Sequence, residues 1–122
     1  RPRLFADEMR QPVSADSAAE AAVELLERGD LHGLFHWAGS EVVSRYELGR
    51  RILERFGLDG SHLEEARASD DPVFADRPRN LRFDLEPLVS KLRSRPEDLG
   101  AQIDGLKAPA PLYRWLRENG RV

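Results

Sequence analysis

Apolar positions recur at helical spacing in two stretches of the chain, and a capping pattern opens each. In residues 14–30, SADSAAEAAVELLERGD, the positions Ala22, Val23, Leu25 and Leu26 predict the buried side of a helix. Asp16 or Ser17 is the expected cap, Ser17 and Glu20 fit a capping box, and Gly29 can close the helix. In the second stretch Ser44 and Glu47 form another such box. Leu48, Ile52, Leu53 and Phe56 then share one face, and Gly57 ends the run. Between the two lies GLFHWAG, short, aromatic and bounded by glycines, which predicts a strand over residues 33–38.

Regular periodicity is lost over residues 62–80, HLEEARASDDPVFADRPRN, where aspartate, proline and serine predict loop with one short strand near Leu63 to Arg67. Three short helices follow. Asp84 is expected to cap the first, Pro96 to lie near the first turn of the second, and Pro111 to open the third. Leu112, Tyr113, Trp115 and Leu116 would make the last one a packing element. The order predicts an α/β chain with few short strands and about five helices. Its strands are too few for a complete doubly wound sheet.

Length is consistent with one domain, since 122 residues can bury a core of their own. Charged residues make up 34% of the chain and acids outnumber Lys plus Arg by 22 to 19, so no overall positive field favours nucleic acid. No run of ~18 apolar residues is present to make a membrane-spanning helix. Cysteine is absent, which removes thiol chemistry and Cys-based zinc sites and is compatible with the expected cytoplasmic location. The opening RPRLFADEMRQPV has neither an initiating methionine nor a signal-peptide core, so the chain is expected to be a fragment of a longer protein.

Tyr46 and Arg50 have the spacing of a tyrosine activated by a cation one helical turn away. Arginine does not replace lysine conservatively there, and Tyr46 follows the Ser44 cap closely, where a ring packs under the preceding turn. The pair therefore reads as structural. His32, His36 and His62 fit no metal-ligand spacing, GLDGS follows a helix instead of linking a strand to one, and no nucleophile elbow occurs. The loop DRPRNLRFD, residues 76–84, stands out because Arg77, Arg79 and Arg82 cluster beside the stiffening Pro78. Guanidinium groups fork onto phosphate oxygens, so two of them could hold a diphosphate. Pairing with Asp76, Asp84 or the Asp70-Asp71 turn is the alternative, and local sequence leaves both open.

Three stretches in order, FADEMRQPVSADSAAEAA, GLFHWAGSEVVSRYELGRRILERFGL and RPRNLRFDLEPL, resemble the C-terminal part of dTDP-4-dehydrorhamnose reductase-like proteins. These are extended short-chain dehydrogenases/reductases acting on sugar nucleotides. FHWAG and DDPVFADRPRN are also similar to the regulatory β subunits of methionine adenosyltransferase, a related family. The resemblance implies a single substrate-binding domain over residues 1–122, without the N-terminal Rossmann half that carries the Gly-rich turn and catalytic Tyr-x-x-x-Lys. It implies a nucleotide-sugar substrate, NADP or NAD in the full-length protein, and none bound by this fragment, which alone is expected to be inactive. By resemblance the diphosphate falls to Arg77 first and Arg79 second, with Asn80 beside them. Arg10, Gln11 and Pro12 line the sugar side. No catalytic, cofactor or metal residue is expected in the chain. The Rossmann half is the expected partner, a homodimer or protein partner is left open, and a regulatory subunit is the alternative to an enzyme.

Overall fold

The computed structural model describes residues 2–107 and 109–119, so the ends of the expected 1–122 domain lie outside the described residues. In chain order the elements are β1 (Arg3–Phe5), β2 (Met9–Arg10), α1 (Ala15–Glu27), β3 (Val43–Ser44), α2 (Arg45–Arg55), β4 (Glu64–Ala66), α3 (Glu86–Val89), α4 (Leu99–Asp104) and α5 (Ala110–Glu118). Short 3-10 turns at Gly60–His62 and Ala68–Asp70 flank β4. β1 runs parallel to β4 with Leu4 opposite Glu65, and β2 runs antiparallel to β3 with Met9 opposite Ser44. This is the expected α/β arrangement of five helices and a few short strands.

Two apolar clusters hold these elements together. Ala21 of α1 meets Leu88 and Leu92, with Leu25, Leu31, Phe35 and Trp37 packed around them. Val43, Leu99 and Ile103 form the second, closed by Leu48 and Ile52 of α2. The α2 expectations hold: Ser44 Oγ accepts from the Glu47 amide, and Gly57 follows the helix at φ 62°, a left-handed turn that favours glycine. Only half of the capping box forms there, because the Glu47 carboxylate engages Arg50 and Arg51 instead.

Elsewhere the structure corrects the sequence reading. Residues 33–38 form no strand; both strand pairs use other segments. This segment anchors through its side chains: Phe35 and Trp37 pack on the first cluster, and Trp37 Nε1 donates to Ser17 Oγ at 3.3 Å. The cap of α1 is Ser14, whose Oγ accepts from the Ser17 amide at 3.1 Å. Asp98, not the Pro96 turn, opens α4 by accepting from the Ala101 amide, and Pro96 lies ahead of the helix. Asp84 accepts from the Glu86 amide but precedes Leu85, the residue at the cap position of α3. Pro111 does lie in the first turn of α5, yet only Leu116 of its four apolar positions is buried. Ser14→Ala is expected to lower stability by about 1 kcal/mol, and Asp16→Ala by much less. Urea midpoints showing the reverse order would return the cap to Asp16.

Candidate functional site

One segment, residues 5–11, organises everything around the arginine loop. Phe5 packs against Phe74 with ring centroids 5.2 Å apart, and the Arg77 guanidinium sits 4.6 Å over the other partner of that contact, the Phe74 ring. Asp7 accepts from the Ala68 and Ser69 amides at 2.7 and 3.0 Å, which holds its carboxyl below the usual range and fixes the turn before the loop. Met9 receives the loop itself: its amide donates to the Arg79 carbonyl at 2.6 Å, and its carbonyl accepts from the Leu81 amide at 3.3 Å. A parallel bridge thus sets Asn80 beside Met9, so β2 lies between β3 and the loop.

Gln11 completes the arrangement. Its Nε2 donates to the Gly39 carbonyl at 2.8 Å and its Oε1 accepts from the Phe83 amide at 2.9 Å. Phe83 stacks on His36 at 4.8 Å, so His36 is an exposed partner of the loop and not a strand residue. Between these segments opens a cleft of about 630 Å³, lined by Gln11, Ser40, Val42, Arg82, Phe83 and Asp84 among others. Arg82 and Gln11 line it, whereas Arg77, Arg79, Asn80 and Pro12 do not. Asn80 accepts from the Arg82 amide through Oδ1 at 3.2 Å. The Pro12 carbonyl accepts from the Gly39 amide at 3.0 Å and from Gln102 Nε2 at 3.3 Å.

The loop arginines differ from those of the N-terminal half of the chain, although among the described residues Arg67, Arg95, Arg114 and Arg117 also have no carboxylate within 4.0 Å. Every described arginine from Arg3 to Arg55 has a carboxylate within 4.0 Å. Among the described residues, Arg77, Arg79 and Arg82 have none, although Asp70, Asp71, Asp76 and Asp84 are close in sequence. Asp71 instead lies 4.0 Å from Arg3. The carboxylate pairing left open by the sequence is therefore not made. Arg50 is committed to Glu47 and Glu54 at 2.9 and 3.2 Å, and hydrogen bonds from Arg50 and then Arg51 hold Glu47 down at about 2. The Arg50 guanidinium is thus occupied by two carboxylates of its own helix.

Among the described residues no group of three or more His, Asp or Glu side chains is placed to hold a metal. The cleft itself sets Arg82 against Asp84 and Glu86, whereas Arg77 and Arg79 lie outside it, so it is the loop and not the cleft lining that offers guanidinium groups to an anion. Sequence reasoning found the loop but passed over Glu8 and gave Arg10 no pairing partner. Their i, i+2 spacing, which puts two side chains on one face of a strand, was the available signal.

Residues 2–105 match the RmlD substrate binding domain. That match covers most of the chain, and the chain belongs to this family of substrate-binding domains. The probable low-salt glycan biosynthesis reductase Agl14 of Haloferax volcanii is 30% identical over 105 residues, 86% of this chain and 35% of the relative. Methionine adenosyltransferase 2 subunit beta of Pongo abelii is 34% identical over 86 residues, 66% of this chain and 25% of the relative. The chain thus spans about a quarter to a third of the length of the curated relatives it matches.

Proposed function

We propose that this chain is the substrate-binding part of an NAD(P)-dependent sugar-nucleotide reductase resembling dTDP-4-dehydrorhamnose reductase. In this reading its arginine loop takes the nucleotide diphosphate. The observation that carries the reading is the clustering of Arg77, Arg79 and Arg82 in one loop with no carboxylate within 4.0 Å of any of them among the described residues. Such guanidinium groups meet phosphate oxygens with two parallel N–H donors each, and none has to give up a carboxylate first. Arg77, braced on Phe74, is the first anchor and Arg79 the second. Asn80 keeps its Nδ2 for a ligand, while its Oδ1 accepts from the Arg82 amide. Gln11 and Pro12 shape the sugar side through their surfaces, because their polar atoms already bind the protein.

Gly57 and Gly60 follow α2 instead of joining a strand to a helix, so they are not the glycines of a dinucleotide fingerprint. In this reading hydride transfer and the proton donor belong to the rest of the whole protein, and this chain's work is to bind and orient. Calorimetry with dTDP tests the reading. Arg77→Ala and Arg79→Ala are each expected to weaken binding about tenfold or more, the scale of one charge-assisted hydrogen bond. An unchanged affinity in the double variant would exclude the loop as the diphosphate site.

The 34% identity to methionine adenosyltransferase 2 subunit beta favours a second reading, a subunit that contacts another protein. Co-purification with a methionine adenosyltransferase, and the absence of ketone reduction by the whole protein, would select it.

A further inference from the structure

We propose that Glu8 and Arg10 are positioning residues for the arginine loop, with the buried carboxylate of Glu8 aiming the Arg10 guanidinium at the loop backbone. Glu8 is 0% exposed. Its Oε2 lies 3.3 Å from Arg10 Nη2 and 3.6 Å from Arg45 Nη1, yet neither carboxylate oxygen has an aligned hydrogen bond. The attraction is thus one of charge, and a buried carboxylate without it would be strongly unfavourable. The other edge of the same guanidinium faces the loop. Arg10 Nη1 donates to the Met9 carbonyl at 2.7 Å and reaches the carbonyls of Arg79 and Pro78 at 3.4 and 3.5 Å.

A planar fork can meet a carboxylate on one side and carbonyls on the other, whereas an ammonium group holds a single point. Glu8 also holds the start of α2, since its carbonyl accepts from the Arg45 amide at 3.1 Å. One buried negative charge therefore ties α2, β2 and the loop together at a place where Arg77, Arg79 and Arg82 add positive charge. Loss of the Glu8 charge leaves Arg10 with carbonyls alone among like charges, and the loop is released while the two apolar clusters stay intact. The proposal rests on the diphosphate reading for its ligand but not for its geometry.

Trypsin reads the geometry directly. It cleaves after mobile arginines but not before proline, so Arg79–Asn80 is the informative bond and Arg77–Pro78 is silent. Glu8→Gln and Arg10→Met are each expected to speed cleavage at Arg79–Asn80 about tenfold, the ratio expected if the local opening equilibrium governs the rate. Cleavage at Arg55–Phe56 should not change, and Arg10→Lys should fall between wild type and Arg10→Met. Cleavage that rises at both bonds together, or at neither, overturns the proposal. Arg10→Met serves where Glu8→Gln does not fold. Calorimetry with dTDP separates the two ideas. Local release with no dTDP binding by the wild type sinks the ligand reading and leaves the positioning; unchanged cleavage with wild-type binding does the reverse.

Discussion

Gly39→Ala is expected to destabilise the protein by about 3 kcal/mol or more, the upper range for forcing atoms into a packed site. The reason is crowding, since Gly39 is not among the glycines with positive φ. A Cβ at this position would run into the backbone carbonyl oxygen of Pro12, lie 2.5 Å from Gln102 Nε2 and come within 3.2 Å of the Glu97 carbonyl. Two of those three neighbours are backbone atoms, which cannot turn aside as the end of a side chain can. The Gly39 amide also donates to Pro12 and its carbonyl accepts from Gln11, so a shift here breaks two of the contacts that shape the cleft. The urea midpoint should fall with little change in slope, and affinity for dTDP should fall with it. Gly29 is the control: nothing lies within 4 Å of a Cβ built there, and Gly29→Ala should be close to neutral. A Gly39→Ala midpoint equal to that of Gly29→Ala would mean that the 11–12 and 97–102 segments move freely, against the packing described.

The legible parts of the fold were those set by local chemistry. Ser44 and Gly57 bracket α2 because a hydroxyl cap and a left-handed glycine act on their own neighbours. The strand at Glu64–Ala66 and the arginine cluster in the following loop were visible for the same reason. α1 shows what was hidden. Hydropathy points to Val23 and Leu26 as its inner side, but they are 56% and 86% exposed, and the helix buries Ser17, Ala21 and Glu24. These three lie four and three residues apart, so they do form a stripe. It is small and polar because its partners are specific groups far along the chain: the Trp37 indole for Ser17, and the 93–94 backbone for Glu24. No local pattern announces a hydrogen bond made across about seventy residues. The aromatic segment at 33–38 misled for a related reason, since Phe35 and Trp37 are partly buried against Ala21 of α1, Leu88 and Leu92 and not by a sheet. In the site, the charge and spacing of Arg77 and Arg79 were readable, but not their lack of carboxylate partners.

Glu24→Gln is expected to lower the melting temperature at pH 7 by roughly 5–10 °C and to flatten its fall in acid. The Glu24 carboxylate accepts from the Arg93 amide at 2.6 Å and from the amide and hydroxyl of Ser94 at 2.8 and 2.7 Å. The Arg93 amide bond is the largest cause, followed by Ser94, that takes its carboxyl from an ordinary 4.5 down to about 2. The unfolded chain therefore binds this proton more readily than the folded one. The contribution of Glu24 is complete above about pH 4.5 and is lost as pH falls from there through about 2. A glutamine keeps the shape but has no charge to protonate, and it turns one acceptor into a donor facing another donor. The gap between wild type and Glu24→Gln should thus narrow steadily across that window. Some slope should survive in the variant, because hydrogen bonds from Arg28 and Arg50 also hold Asp30 and Glu47 at about 2. Arg93→Ala should retain most of the wild-type slope, since its guanidinium is 85% exposed and contributes least to the shift. Parallel melting curves for wild type and Glu24→Gln between pH 4.5 and 2 would show that the carboxylate does not hold α1 to the 93–94 segment.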